Sequence, residues 1–378
     1  MPLVFTLASR NLFHDRVRFV VTLIGIIFSL TLVTGQLGLF LGFERMVTSM
    51  IDHAHADLWI APVDTKSFEA TALLDGRERF QALPIEGVRE VIPVMIGFAY
   101  WRKPNDGSLA PVFLIGVQSG SEALQPWNAI EGHPEDLSTP DAVAIDQSYF
   151  ERLGIARIGE YAEIADQKAR VAVVTEGIRS FTTTPYVFTS LVRARSYMKA
   201  PPSSASYFLV RLASGANTDA IRSQLLAELS GADVLTSEEF RHRSRSFWLF
   251  GTGAGAALFG SALLGVVVGT VIVAQTLYSS TKDHLIEFAT LRAMGSSRGY
   301  IYTVILCQAV LSAIIGFSIA ALVGVGLANA SAGTALPIVV TPALLLSLLV
   351  LTVGMCAVSA ISAIVVVTRV DPVTVFAR

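Results

Sequence analysis

SSTKDHLIEFATLRAMGSSR, residues 279–298, decides how the chain is read. Residues 246–281 hold no Asp, Glu, Lys, Arg or His, and neither do residues 299–368. Runs of that length and apolarity belong in hydrocarbon, so the charged island between them lies in water at one membrane face. Within it Ser280, Thr281 and Asp283 are good helix starters, and Leu285, Phe288, Ala289, Leu291 and Arg292 follow at helical spacing. Gly295 stops that helix, and Ser296 or Ser297 caps the next. The stretch predicts a short helix lying across the membrane surface. It suits docking to a soluble partner: Glu287, Arg292 and Arg298 offer charge-assisted contacts, and Phe288 and Leu291 an apolar knob.

Working outward, the 378 residues are 52% hydrophobic and 15% charged, with a mean hydropathy of +0.58. That is enough for a membrane bundle plus a folded soluble domain. Lys and Arg are dispersed, with no basic stripe interleaved with aromatics, so nothing points to nucleic acid. Cys307 and Cys356 both fall in apolar runs as small packing residues, which leaves no disulfide framework. Arg10, Arg16 and Arg18 precede an uncharged run over 19–43, the charge order of a signal peptide. That run is too long for a signal core and no A-x-A site follows, so a retained helix is expected.

In chain order, residues 1–16 predict a cytoplasmic interfacial helix and 17–43 a first span, TM1, with a stalk. Gly38 and Gly42 form a G-x-x-x-G face for close helix approach, although glycines are also common in membrane helices generally. Residues 44–245 have soluble composition, with eleven of the fifteen prolines. Strands are expected at 57–62, 91–102 and 111–117 and a helix at 77–83, then a strand, helix, strand set at 206–213, 218–229 and 233–236. These give a two-lobed α/β part from 44–118 and 201–245, with a mainly β insertion at 119–200. In the insertion Asp146 caps a short helix ending at Gly154, and a hairpin turns on Asp166, Gln167 and Lys168.

Residues 246–280 predict a stalk and second span. As a single helix, 246–281 would be roughly 54 Å long against about 30 Å of hydrocarbon, so its start projects outward. Gly251, Gly255, Gly265 and Gly269 are expected to serve helix packing there. The coupling helix occupies 281–298, a third span 299–328, a short external turn 329–342, a fourth span 343–368 and a cytoplasmic tail 369–378. Lys plus Arg count three in the N-terminal segment up to Arg18, three in the island, two after residue 368 and none in the turn. The positive-inside rule puts both termini and the island in the cytoplasm, and the large domain and the turn outside.

Chemistry is harder to find. Gly295, Ser297 and Gly299 satisfy G-x-S-x-G, but helices rather than a strand flank them. Gly251, Gly253 and Gly255 follow no strand either, which argues against a dinucleotide loop. His53 and His55 with Asp52 and Asp57 lack a distant third ligand, and no H-E-x-x-H or G-x-x-x-x-G-K-[ST] occurs. No catalytic, metal or cofactor site is expected. Between their flanking arginines the spans carry no acidic, basic or His residue, Gln36, Gln275 and Gln308 being the most polar, unlike an ion-coupled pump. Energy for any transport would therefore enter from another chain.

EFATLRAMGSSRGYI at 287–301, with Asp371-Pro372-Val373, LPIEGVREVIP at 83–93 and the layout of one span, a large domain and three spans, resembles the FtsX-like and MacB-like ABC permeases. ADLWIAP at 56–62 and GTVIVAQTLYSS at 269–280 look most like the DevC-type branch, permeases without a fused ATPase. The resemblance implies a four-span helical membrane protein with an extracytoplasmic α/β domain inserted between spans 1 and 2, resident in a bacterial inner membrane. It implies a mechanotransmission (type VII) permease that is not itself an enzyme. A homodimer would work with a separate ABC ATPase, a periplasmic membrane-fusion adaptor and an outer-membrane channel, exporting a hydrophobic or amphiphilic substrate. Matched to the family pattern, Glu287, Phe288, Leu291, Arg292, Gly295 and Arg298 would couple to the ATPase. Two alternatives share the topology: an FtsX-type regulator of a cell-wall hydrolase, and a lipoprotein-releasing permease.

Overall fold

A computed structural model describes residues 2–14, 16–69, 72–283, 290, 294–334 and 336–368. Two helices, α1 (Pro2–His14) and α2 (Arg16–Asp52), lead into β1 (Leu58–Pro62), α3 (Arg77–Ala82), β2 (Val88–Arg102) and β3 (Leu109–Val117). There follow β4 (Ala129–Glu131), β5 (Ala142–Asp146), α4 (Phe150–Leu153), β6 (Tyr161–Ile164), β7 (Gln167–Thr175), β8 (Tyr186–Ser190) and α5 (Leu191–Tyr197). Then come β9 (Tyr207–Leu212), α6 (Thr218–Glu228), β10 (Ala232–Thr236), α7 (Ser237–Arg245), α8 (Ala254–Asp283), α9 (Arg298–Ser331) and α10 (Pro342–Thr368). The chain divides into a helical unit of residues 1–42, 256–332 and 337–378 and a sheet unit of residues 43–255 and 333–336.

Among the described residues four helices are long and apolar enough to cross a membrane: Phe19–Asp52, Ala254–Ser279, Gly299–Ser331 and Pro342–Ile361. The protein is thus a four-span helical membrane protein with a large α/β domain between its first and second spans. Within the helical unit the helices approach closely where glycine leaves room. A Cβ at Gly265 would meet Leu32 and Val33, and one at Gly269 would meet Ser29 and Met355. Lipid gives helices no hydrophobic reason to associate, so such notches and the bonds across them hold the bundle. Gly38 and Gly42 differ from the expectation: they face not another helix but the turn before α10, where a Cβ would strike Ile338 and the Pro337 carbonyl. The Val339 amide donates to the Gly38 carbonyl at 3.0 Å, which ties that turn to α2.

In the sheet unit ten strands run in the order β10-β1-β9-β2-β3-β8-β5-β7-β4, with β6 pairing β2 and β7. β10, β1, β9 and the first half of β2 form an antiparallel lobe. Ile221 and Leu225 of α6 and Ala82 of α3 cover it, in one cluster with Ile60, Val91 and Phe208. The second half of β2 pairs with β3, then β8, β5, β7 and β6 follow, and β6 returns to β2. Six strands therefore close into a small barrel filled by Trp101, Val112, Leu114, Ile145, Ile164 and Val187. The expected β insertion at 119–200 is only part of this barrel, since β2 and β3 lie outside that range. At fifteen residues β2 is long enough to serve both lobes.

The predicted single helix over 246–281 is broken. Ser246–Gly251 forms a π turn continuing α7, Gly253 takes φ +78°, and α8 begins at Ala254. Gly251 and Gly255 therefore do not pack another helix: the neighbours a Cβ would meet are Phe247 and Ser246 for the first and Leu249 for the second, all in their own segment. Apolar composition reads alike in hydrocarbon and in a protein core, and Leu249 is buried in the latter sense, at 3% exposure.

Candidate functional site

Most of the island expected to couple to a partner, including Glu287, Phe288, Leu291 and Arg292, lies outside the described residues. Its two edges are described. α8 reaches Asp283, and at the far edge the Met294 amide donates to the Thr290 carbonyl before Gly295 turns the chain with φ +96°. An L side chain pays for that conformation, which is why glycine suits the stop. Ser297 then caps α9, its hydroxyl accepting from the Tyr300 amide at 3.2 Å, with Arg298 as the first helical residue. Met294 stands 70% exposed on this turn.

The sheet unit contains a junction that sequence reasoning did not single out. Phe43, Met46 and Val47 of α2, Phe181 of the loop after β7, and Trp248 of the π turn form one cluster. Phe181 stacks edge-on against Phe43 at 5.1 Å and Trp248 at 4.6 Å. Edge-to-face pairs of this kind add attraction beyond the area they bury. The Phe181 loop is itself held by Asp146, 2% exposed, which accepts from the Ile178 amide at 2.7 Å and from the Ser148 amide at 3.0 Å. Charge pairing joins the same elements, Arg245 lying 3.5 Å from Glu44.

Beside this cluster sits Glu69. Its Oε1 accepts from the Tyr186 hydroxyl at 3.0 Å and its Oε2 from the Trp248 indole N–H at 3.1 Å. The residue keeps some accessible surface, yet its carboxylate is enclosed. Burial pushes it from 4.5 up to about 7, only partly offset by hydrogen bonds from its own backbone, Tyr186, Trp248 and Ser67. Burial, then the neighbouring Glu69 charge, likewise pushes the Tyr186 phenol well above its ordinary value. No spacing rule connects Glu69 to a tryptophan 179 positions away, and nothing else in the sequence marks the pair.

On the barrel, one ribbon face is bare. Phe98 and Tyr100 of β2 are 66% and 64% exposed, and Leu109, opposite Arg102, and Tyr161 are also exposed. A cleft of about 320 Å³ beside them is lined by Arg102, Lys103, Tyr161, Glu163 and Lys168. Contiguous exposed aromatics rimmed by charge mark a surface suited to a protein partner.

The His53 ring stacks on Trp127 at 3.8 Å with Nδ1 2.8 Å from the Ser49 carbonyl, and no group of three His, Cys, Asp or Glu among the described residues could hold an ion.

Comparison with known proteins gives two family matches. Residues 19–228 match the MacB-like periplasmic core domain, and residues 259–372 match the FtsX-like permease C-terminal region. Among solved structures the chain is similar to the periplasmic region of MacB from Actinobacillus actinomycetemcomitans, at 11% identity and a TM-score of 0.40, covering 51% of this chain and 94% of that one. It is also similar to the extracellular domain of the noncanonic ABC-type transporter YknZ from Gram-positive bacteria, at 17% identity and a TM-score of 0.34, covering 48% of this chain and 99% of that one. No curated protein matches the chain.

Proposed function

The chain belongs to the FtsX-like permeases that carry a MacB-like periplasmic core domain, and we propose that it is the membrane subunit of an ATP-driven exporter that transmits force rather than opening a channel. ATP would be hydrolysed by a separate subunit docked on the island around Glu287, Leu291, Arg292 and Gly295. The observation that carries this reading is α2, a single unbroken helix of 37 residues from Arg16 to Asp52. Such a helix is on the order of 55 Å long, well beyond the hydrocarbon it must cross, so it can carry a displacement into the sheet domain.

The bare face around Phe98, Tyr100, Leu109 and Tyr161 supports a second partner, a periplasmic adaptor of the membrane-fusion kind, leading to an outer-membrane channel. The substrate would be a hydrophobic or amphiphilic molecule collected on the periplasmic side. Both termini would be cytoplasmic, with the domain in the periplasm. For a homodimer the structure gives less support than the sequence promised, because Gly265 and Gly269 are occupied by α2 and α10 of the same chain.

The test is a mild-detergent pull-down of the tagged protein from its native membrane, with Arg292→Glu in parallel. Recovery of an ATPase with the wild type and its loss with the variant, together with an adaptor, is the expected result. An ATPase accompanied by a cell-wall hydrolase or a lipoprotein carrier would replace the exporter role. Absence of any ATPase from folded protein would overturn the coupling reading.

A further inference from the structure

We propose that closure of the sheet domain over its own linker, the π turn leading into α8, is controlled by a proton on Glu69: protonated, the carboxyl stays enclosed beneath Trp248, and as it ionises the turn opens to admit water. This goes beyond the transport reading and does not depend on it.

The geometry is that of a hinged cover. One bond to Glu69 comes from Tyr186, in β8 at the centre of the sheet between β3 and β5. The other comes from Trp248, in a π turn that ends at Gly251, two residues before Gly253 with its positive φ. Isolated π turns are sites where a helix is locally wound wide, and the following glycine interrupts the helical hydrogen bonding altogether. When the enclosure yields, the Trp248 side yields first and Tyr186 stays with the sheet.

The groups that face the carboxylate decide what its charge does. They are Tyr186 of β8, Tyr207 of β9, Trp248 of the π turn and Ser67 of its own segment. Of these the two tyrosines titrate, and both stay neutral because burial pushes each phenol well above its ordinary value. Tyr149 lies beyond them, acting on Tyr186 rather than on Glu69. The Glu44–Arg245 ion pair, which joins α2 to α7, neutralises itself. Only neutral donors, the Glu69 backbone and the side chains of Tyr186, Trp248 and Ser67, are left to compensate a buried negative charge, and they offset its burial only in part.

The sign follows from linkage. In the enclosed state the carboxyl titrates at about 7, against 4.5 when solvated, so the closed form binds the proton more tightly. Closure is therefore favoured most below pH 4.5, and that advantage declines as pH rises through 7. From well below pH 4.5 to well above pH 7 the closed-to-open ratio falls by about 300-fold, the factor set by the difference between the two values. A neutral carboxyl still accepts the indole N–H through its carbonyl oxygen, so protonation does not itself break the Trp248 bond. The proton released on opening passes to water.

The experiment uses the full chain in phospholipid nanodiscs, without partners, with 5-fluorotryptophan incorporated and the Trp248 resonance assigned by Trp248→Phe. The expected result is a ¹⁹F transition between about pH 5 and 8, from an enclosed to a water-exposed shift. Glu69→Gln, which imitates the protonated carboxyl, holds the enclosed shift throughout, and Tyr186→Phe moves the opening to lower pH because the closed form loses a bond that the open form does not make. A Trp248 resonance that is flat across this range in the wild type overturns the proposal. So does a transition that survives in Glu69→Gln. The first of these needs no variant beyond the one used for assignment, so a misfolded Glu69→Gln cannot shield the idea.

Discussion

The Ser29 hydroxyl donates to the Gly265 carbonyl at 2.7 Å, joining the first apolar helix to the second across 236 positions of sequence. The bond exists only because Gly265 and Gly269 let the helices approach, and Ser29 fills the space beside Gly269. Gly269→Val drives a side chain into Ser29 and is expected to cost about 1–3 kcal/mol, as overpacking does. Ser29→Ala removes the bond alone, for about 0.6 kcal/mol. Reversible unfolding of the purified protein in mixed micelles ranks the two, and equal effects would show that the notch does not matter.

Asp146 anchors the loop that delivers Phe181 to the aromatic junction. With the carboxylate removed, the buried amide of Ile178 loses its acceptor, so Asp146→Ala should destabilise the sheet domain by about 1–3 kcal/mol. Thermal unfolding followed by near-ultraviolet circular dichroism measures this. An unchanged transition would mean the loop is held by its aromatics alone.

Stability should also depend on pH through Glu69. Its value is raised in the folded state, so its contribution is full below pH 4.5 and is lost as pH climbs through about 7. The loss amounts to up to about 3 kcal/mol. Comparing denaturant midpoints for wild type and Glu69→Gln across that window isolates it: the wild type declines relative to the variant as pH rises.

Gly295 ends the charged island with a positive φ, so Gly295→Val strains the stop by roughly 1 kcal/mol or more. Recovery of the ATPase in pull-down should drop several-fold while the sheet domain's thermal transition stays put. On the barrel, Tyr100→Asp places charge on a face already in water and should leave unfolding unchanged. Adaptor capture is where its effect is expected, and undiminished capture would move the docking face elsewhere.

How far the chain can be read without coordinates depends on whether a feature is local. The Arg77–Ala82 helix, the β9, α6 and β10 set, the Asp146 cap and the Ser297 cap each rest on neighbours within a turn or two, and all are legible. The break at Gly253 was missed because an uninterrupted apolar run conceals the difference between lipid and core. Closure of the barrel escaped too, since the pairing of Trp101 with Ile164 joins segments with no shared pattern. Glu69 was invisible for the same reason: its partners at 186 and 248 are set by the sheet and the π turn. Of the island itself, only Gly295 and Arg298 among the coupling residues fall where the structure is described.

The long strand Val88–Arg102 carries one further consequence, for anyone wishing to transplant parts between relatives. Because it is a stave of the barrel and a member of the neighbouring lobe at once, the piece 119–200 is not a cassette. Excising it would leave β2 and β3 with naked hydrogen-bonding edges, an invitation to aggregate, and the excised piece would be a barrel lacking two staves. A chimaera that respects the architecture must exchange everything from β1 to β10 together.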